Sequence, residues 1–169
     1  MVQLSDGVIA LRPIAVADAE AHLAAAGPGR ARGPGGALGS LEDVRAHFEK
    51  CVASWASGGP ERLFAITADH GASLVGTLDI QTSRFYLAAG QADLVFEIYP
   101  AYRGRGLATK AVILGCRYLA GSGLADEVVL RIDPASSAAV GVARRARFHY
   151  LRSSDDPAEG PLDWYIQAL

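Results

Sequence analysis

The sequence predicts one α+β (mixed α/β) domain over residues 1–169, and three observations carry that reading. Short runs with apolar alternation of period two are interleaved with helical stretches in the order β-α-α-β-β-β-α-β-α-β-β, which implies a mixed sheet. A chain of 169 residues is long enough for one core and too short to expect two. Half of its residues are apolar, which separates it from disordered chains.

The first strand spans Val8 to Arg12 and stops at Pro13, whose ring removes a backbone donor. Ala17 to Ala26 is an alanine-rich helix. The run from Gly27 to Gly39 is too rich in glycine and proline for regular structure and reads as a loop beside a binding cleft. Ser40 then caps a helix, with Asp43 three residues on and Leu41, Val44 and Phe48 as its apolar stripe. That helix ends near Ser57, before Gly58-Gly59-Pro60. Strands follow over Arg62 to Thr67 and Leu74 to Ile80, joined at Asp69-His70-Gly71. An irregular excursion over Arg84 to Gln91 precedes a fourth strand, Asp93 to Tyr99. A helix from Gly106 to about Ala120 leads to a fifth strand, Glu127 to Ile132, apolar enough to be covered on both faces. The chain closes with a helix over Ser137 to Arg147 and strands at His149 to Arg152 and Asp163 to Ala168.

Composition excludes several classes. The net charge of −2 supplies no basic face for nucleic acid. No apolar run spans a bilayer and the N-terminus has no basic-then-apolar leader, so no membrane partner and a cytoplasmic location are expected. The two cysteines, Cys51 and Cys116, lie inside apolar helical patterns and read as reduced core thiols. No Cys/His cluster shows ligand spacing, so no metal is expected. Both a monomer and a homodimer are compatible with this composition.

The informative segment is Glu97-Ile-Tyr-Pro-Ala-Tyr-Arg-Gly-Arg-Gly-Leu-Ala-Thr109. A strand ends at Pro100 and a helix starts within a turn that carries Gly104 and Gly106. A helix start exposes unpaired N–H groups and the positive end of the macrodipole, which suits a phosphate. Glycines let a pyrophosphate lie on the backbone, and Arg103 and Arg105 add positive charge. Leu107-Ala108 follows where a Walker loop needs Lys-Ser/Thr. A dinucleotide fingerprint needs the first strand and a later ribose-binding acid, and neither condition is met.

Arg103-Gly-Arg-Gly106-Leu-Ala108 resembles the Gln/Arg-x-x-Gly-x-Gly/Ala signature of the GNAT N-acetyltransferases. The wider pattern is similar to the subgroup that acetylates ribosomal-protein N-termini. The matching segments are Leu11-Arg-Pro, Phe64-Ala-Ile, Leu74-Val-Gly-Thr, Ala101 to Ala111, Leu130-Arg-Ile-Asp-Pro134, Val142 to Phe148 and Asp163-Trp-Tyr-Ile166. The resemblance implies a mostly antiparallel sheet of six to seven strands, splayed between strands four and five and flanked by about four helices. It implies acetyl-CoA as donor and an amine acceptor, either a peptide N-terminus or a small molecule. The backbone of Ile98 and Tyr99 would pair with the pantetheine arm. The stretch Arg103, Gly104, Arg105, Gly106, Leu107, Ala108 and Thr109 would hold the pyrophosphate, with Arg145 nearby.

Four positions depart from the family pattern: Ser136 replaces an Asn, Ala139 a Ser, Ala143 a general-acid Tyr, and Arg147 a capping Gly. Ser136 or Ser137 is then the polar contact for the thioester, with water protonating the leaving thiolate. The alternatives are a silent CoA-binding regulator and an acetyltransferase for an antibiotic or metabolite. An ammonium must lose a proton before it attacks, and a carboxylate is the natural acceptor. Asp93 and Glu97, four apart on one strand face, are the candidates for this base. His70 and His149 read as surface or strand-end residues, and Phe85, Tyr86, Trp55 and Trp164 as possible pocket walls. Cys116, well inside the cofactor helix, makes an acetyl-cysteine intermediate unexpected.

Overall fold

A computed structural model of the chain describes residues 2–27, 32–33, 36–37 and 39–169. Strand β1 (Leu4–Ser5) turns back into β2 (Ala10–Pro13), with Leu4 opposite Leu11. The Asp6 carboxylate makes this turn by accepting the N–H groups of Val8 and Ile9, both at 2.9 Å. A 3-10 turn at Val16–Asp18 opens helix α1 (Ala19–Ala26). Asp18 ties that helix to β2, because its two oxygens take the Arg12 guanidinium at 2.8 and 2.7 Å.

The Gly27–Gly39 run departs from expectation. It contains the short antiparallel pair β3 (Arg32–Gly33) and β4 (Gly36–Ala37), which a two-residue ladder allows even in a glycine-rich stretch. The rest of that run, Gly39 and Gly27 apart, lies outside the described residues.

Helix α2 (Leu41–Ser57) starts where the capping residues place it. Ser40 Oγ accepts the Asp43 N–H at 3.1 Å, and Gly58 closes the helix in the left-handed region at φ 67°. Strands β5 (Glu61–Ala68) and β6 (Ser73–Gln81) form a hairpin, and β7 (Gln91–Ile98) pairs with β6 along its length. Helix α3 (Leu107–Ser122), strand β8 (Glu127–Ile132) and helix α4 (Ser137–Arg145) follow. The closing hairpin, β9 (His149–Asp156) and β10 (Gly160–Ala168), has a longer first strand than the periodicity shows. Its extension, Ser153 to Asp156, is polar because β9 is an edge strand with little to bury.

The sheet has eight strands in the order β1-β2-β5-β6-β7-β8-β10-β9, one more than the upper expectation because β1 adds an edge. Every pair is antiparallel except β7 with β8. Among the described residues there are four α-helices, as the resemblance implies. Helices α3 and α4 cover one face through Leu107, Val112, Leu114, Leu119 and Val142, packed on Leu11, Phe64, Ile66, Leu78 and Leu130. Each such buried apolar side chain contributes about 1.5–3 kcal/mol relative to exposure. Helices α1 and α2 cover part of the opposite face, where Ala19, Val44 and Phe48 meet Leu63, Ala65 and Tyr99. The remainder of that second face carries Val129, Leu162 and Trp164.

His22 is buried on α1, with Nδ1 2.6 Å from the Tyr99 hydroxyl and Nε2 without a partner. Burial, helped by the charge of His47 and opposed by Asp18, lowers its pKa to about 4. The unfolded chain therefore binds this proton below an ordinary histidine pKa of about 6.5, while the folded chain does not until about pH 4. Stability from this group is full above that window and falls as pH drops through it, by up to about 3 kcal/mol. Urea unfolding at pH 7 and pH 5 is expected to show a larger loss for the wild type than for His22→Asn. Equal losses in the two proteins would contradict the buried neutral imidazole.

Candidate active site at the parting of two strands

The site begins where the sheet opens. β7 and β8 pair at only three positions, Gln91 with Glu127, Ala92 with Val128 and Asp93 with Val129. Beyond these, β7 continues to Ile98 along β6, and β8 continues to Ile132 along β10. Each strand is held by its outer neighbour, so the inner edges diverge and leave backbone groups facing a wedge-shaped gap.

The Tyr99 N–H donates to the Val75 carbonyl at 2.9 Å, and the Tyr99 carbonyl accepts from the Tyr102 N–H at 2.9 Å. The Tyr99 N–H is thus spent within the protein and cannot donate to a cofactor arm, and its carbonyl already accepts one bond. Because backbone direction alternates along a strand, the N–H and C=O of Ile98 face the gap instead. Arg103 donates its Nε–H to that Ile98 carbonyl at 3.0 Å, so part of its guanidinium fixes the strand end instead of reaching phosphate. Gly76 permits the neighbouring strand to come close, since a Cβ there would lie 2.1 Å from the Glu97 carbonyl oxygen.

Helix α3 starts at the mouth of the gap. Gly104 and Gly106 sit at φ 76° and 74°, and a Cβ on either would meet no atom within 4 Å. The left-handed backbone therefore selects glycine here, not crowding. No side chain caps the helix, which leaves the amides of Leu107, Ala108 and Thr109 directed at whatever acceptor occupies the turn. Arg105 stacks on the Tyr102 ring at 5.6 Å. Arg145 reaches over from α4, its Nε 3.4 Å from Thr109 Oγ1.

The start of α4 flanks the same end of the sheet, because β7 and β8 run parallel. Ser136 caps it, with Oγ accepting the Ala139 N–H at 3.4 Å, and Ser137 is exposed in its first turn. Ala143 is fully buried on the inner face of this helix and presents no acid. Arg147 keeps the left-handed cap despite its Cβ, at φ 66°. The Phe148 N–H bonds the Ala143 carbonyl at 2.9 Å across it, which completes a Schellman closure.

The two candidate bases share a face but not an environment. Asp93 is 1% exposed, accepts the Tyr86 hydroxyl at 2.6 Å and lies 3.8 Å from Arg131. Arg131 stacks on Tyr86 at 3.8 Å and also pairs with Glu159 at 2.7 Å. Burial raises the Asp93 pKa, although Tyr86 and Arg131 pull it down. Glu97 is half-buried, opposite Thr77, and adjacent to Ile98.

A third carboxylate on this face escaped sequence reasoning. Asp79, opposite Val95, accepts the Gln81 amide at 2.9 Å on one oxygen and has no partner on the other, which is buried. Burial pushes its pKa up to about 7; the charges of Glu61 and Asp93 add to this, while Gln81 and Arg84 oppose it. The signal was a carboxylate set between Leu78 and Ile80 in a strand that is otherwise covered.

Of the expected pocket walls, Trp55 is a core residue, edge-on to Phe64 and donating to the Leu63 carbonyl at 2.9 Å. Trp164 is buried, while Phe85 is exposed beside Tyr86. His70 and His149 are exposed. Burial pushes the Cys116 thiol up to about 12, which makes it a poor nucleophile. No ligand spacing along the chain marks His47, Cys51 and Glu61, yet folding brings their ligand atoms within 4.8 Å of one another.

Residues 9–149 match the acetyltransferase (GNAT) domain. The chain belongs to the GNAT acetyltransferase family. A comparison with curated proteins finds no match. Solved structures share the fold at low identity. The ribosomal L7/L12 α-N-protein acetyltransferase RimL in complex with coenzyme A is 14% identical, with a TM-score of 0.83 over 99% of this chain and 98% of that one. A ribosomal-protein-serine acetyltransferase from Vibrio cholerae gives 14% and 0.81 over 99% and 98%. The aminoglycoside acetyltransferase AAC(6′)-Ib with coenzyme A gives 17% and 0.74 over 94% and 93%. This GNAT protein is an acyltransferase, and acetyl-CoA is the donor its site has to fit. The gap-facing backbone of Ile98 and the uncapped amides of α3 suit an amide-bearing arm and a pyrophosphate.

Two outcomes are expected. Gly106→Val forces a branched side chain into φ 74° and should weaken acetyl-CoA binding several-fold in titration calorimetry. Unchanged affinity in the folded variant would remove this turn as the pyrophosphate site. Arg147→Gly relieves the left-handed strain and should raise unfolding free energy by about 0.5–1 kcal/mol, the relief exceeding glycine's extra entropy cost. A loss of stability would show that the Arg147 side chain contributes more than its backbone costs.

Proposed function

We propose that this GNAT enzyme transfers the acetyl group of acetyl-CoA to a primary amine by direct attack, the acceptor arriving on the acidic face of the sheet. The observation that carries this reading is the gap between β7 and β8, with Ile98 backbone facing it and the α3 amides at its mouth. The residues taken to hold the donor are Ile98, the turn from Arg103 to Thr109, and Arg145. The half-buried Glu97 carboxylate on the opposite face suits an ammonium, whether of a peptide N-terminus or a small molecule.

Glu97 takes the proton from the ammonium, being half-exposed and next to Ile98, whereas Asp93 is sealed under Tyr86 and Arg131. The amine nitrogen forms a bond to the thioester carbonyl carbon, and the carbon–sulfur bond breaks. The thiolate takes a proton from water, while the Ser136 or Ser137 hydroxyl offers the thioester a polar contact. A thiol pKa of about 8.5 makes this leaving group tolerable without a dedicated acid. Buried Cys116 takes no part.

Turnover at saturating acetyl-CoA, measured from pH 6 to 9 on an acceptor drawn from a panel of peptide and small-molecule amines, tests these assignments. Glu97→Gln is expected to lower kcat by about 10²–10⁴-fold. Asp93→Asn should chiefly lower stability, by breaking a buried cluster. If Glu97→Gln slows turnover by less than tenfold, the base lies elsewhere.

A further inference from the structure

Helix α2 places His47 and Cys51 four residues apart, so both side chains leave the same face of the helix. Glu61 opens β5 immediately after the Gly58–Gly59–Pro60 turn brings the chain back. Ser54, one turn beyond Cys51, pins Glu61 to the helix by two bonds. It accepts the Glu61 N–H at 3.3 Å and donates to the Glu61 carbonyl at 2.8 Å. Three side chains of ligand type thus converge by construction of the helix, the turn and this clasp. Their donor atoms lie within 4.8 Å of one another.

We propose that His47, Cys51 and Glu61 form a binding site for a borderline-soft divalent cation of the zinc class. Cys51 Sγ is 3.7 Å from His47 Nε2 and 3.7 Å from Glu61 Oε1. Zinc bonds of ~2.3 Å to sulfur and ~2.0–2.1 Å to nitrogen or oxygen, at a tetrahedral angle, place such donors about 3.5 Å apart. The two edges to sulfur match that spacing, and a rotation of the imidazole and carboxylate brings the third, within 4.8 Å, into range. A neutral imidazole, a thiolate and a carboxylate carry two negative charges, which balance the cation. On binding, the Cys51 thiol releases its proton to solvent and the sulfur lone pair forms the metal bond.

The surroundings fit the same occupant. Cys51 is fully buried, while His47 and Glu61 are half-buried, so an ion has a path in from the surface. The charge of Asp79 acts on Cys51 from the sheet side, and water is left to fill the fourth position. Lys50 is the nearby cation acting on His47. Bound there, the ion would join α2 to β5 beneath the acidic face.

The test is a titration of the full-length, reduced protein with Co²⁺ under anaerobic conditions, followed by displacement with Zn²⁺. The expected result is a saturable thiolate-to-cobalt charge-transfer band, tetrahedral visible absorption at one equivalent, and loss of both on adding Zn²⁺. Because replacing buried Cys51 risks unfolding, the half-exposed His47→Ala and Glu61→Gln decide the matter, each weakening Co²⁺ binding at least tenfold. Zn²⁺ should also raise the Tm of the wild type and not of His47→Ala. Absence of the charge-transfer band up to millimolar Co²⁺ would overturn the proposal. So would a band undiminished in His47→Ala, or one that disappears only when Cys116 is replaced.

Discussion

The parting of β7 from β8 is the constraint on which the rest of this structure turns. A parallel pair inside an otherwise antiparallel sheet has no hairpin to keep it in register, so only side-chain packing and outer neighbours hold it. β6 holds one side and β10 the other, each along nearly its full length. The ladder can therefore stop at Asp93 and Val129 without loss of the sheet. Its cost is a set of backbone groups that need partners, and unpaired backbone groups in a protein interior demand them. Arg103 supplies one by bonding the Ile98 carbonyl. The same opening sends both crossover helices to one end, so the uncapped start of α3 and the Ser136-capped start of α4 face each other across it.

The two sheet faces divide the labour. The face under α3 and α4 is apolar and carries the larger core. The other face carries Asp79, Asp93 and Glu97 among apolar neighbours, and burial raises the pKa of Asp79 and Asp93 more than any single charge does. Asp93 accepts Tyr86 and faces an arginine held between aromatic rings, so it acts as a hub that fixes the Tyr86 loop. Asp79, with one buried oxygen left unpartnered, stays closer to neutrality. Carboxylates on one sheet face thus differ because burial and partners differ from one to the next.

The departures at α4 are absorbed structurally in different ways. Ala143 fills core volume at the position where the family resemblance implies a tyrosine. Arg147 adopts the left-handed cap that glycine would take freely, because the Phe148 to Ala143 bond and the burial of Phe148 hold it there. The fold tolerates both changes.

Local sequence determined much of this protein. The Ser40 cap, the Gly58 stop, the Pro13 strand end and the glycine turn before α3 all rest on preferences of single residues and their near neighbours. The residues of the turn from Arg103 to Thr109 were legible for the same reason, since a helix start and two left-handed glycines act within a few positions. Tertiary structure alone decided which backbone faces the gap, because the use of Tyr99 depends on Val75, twenty-odd residues away and on another strand. It decided that Asp93 is sealed and Glu97 is not, although both share one alternation, because Tyr86, Arg131 and Trp164 arrive from three separate segments. It also brought Glu61 and Asp79 to His47 and Cys51, a convergence that no spacing along the chain displays. Periodicity reports which side of an element a residue occupies, but burial and charge at that side are set by whichever distant segments pack against it.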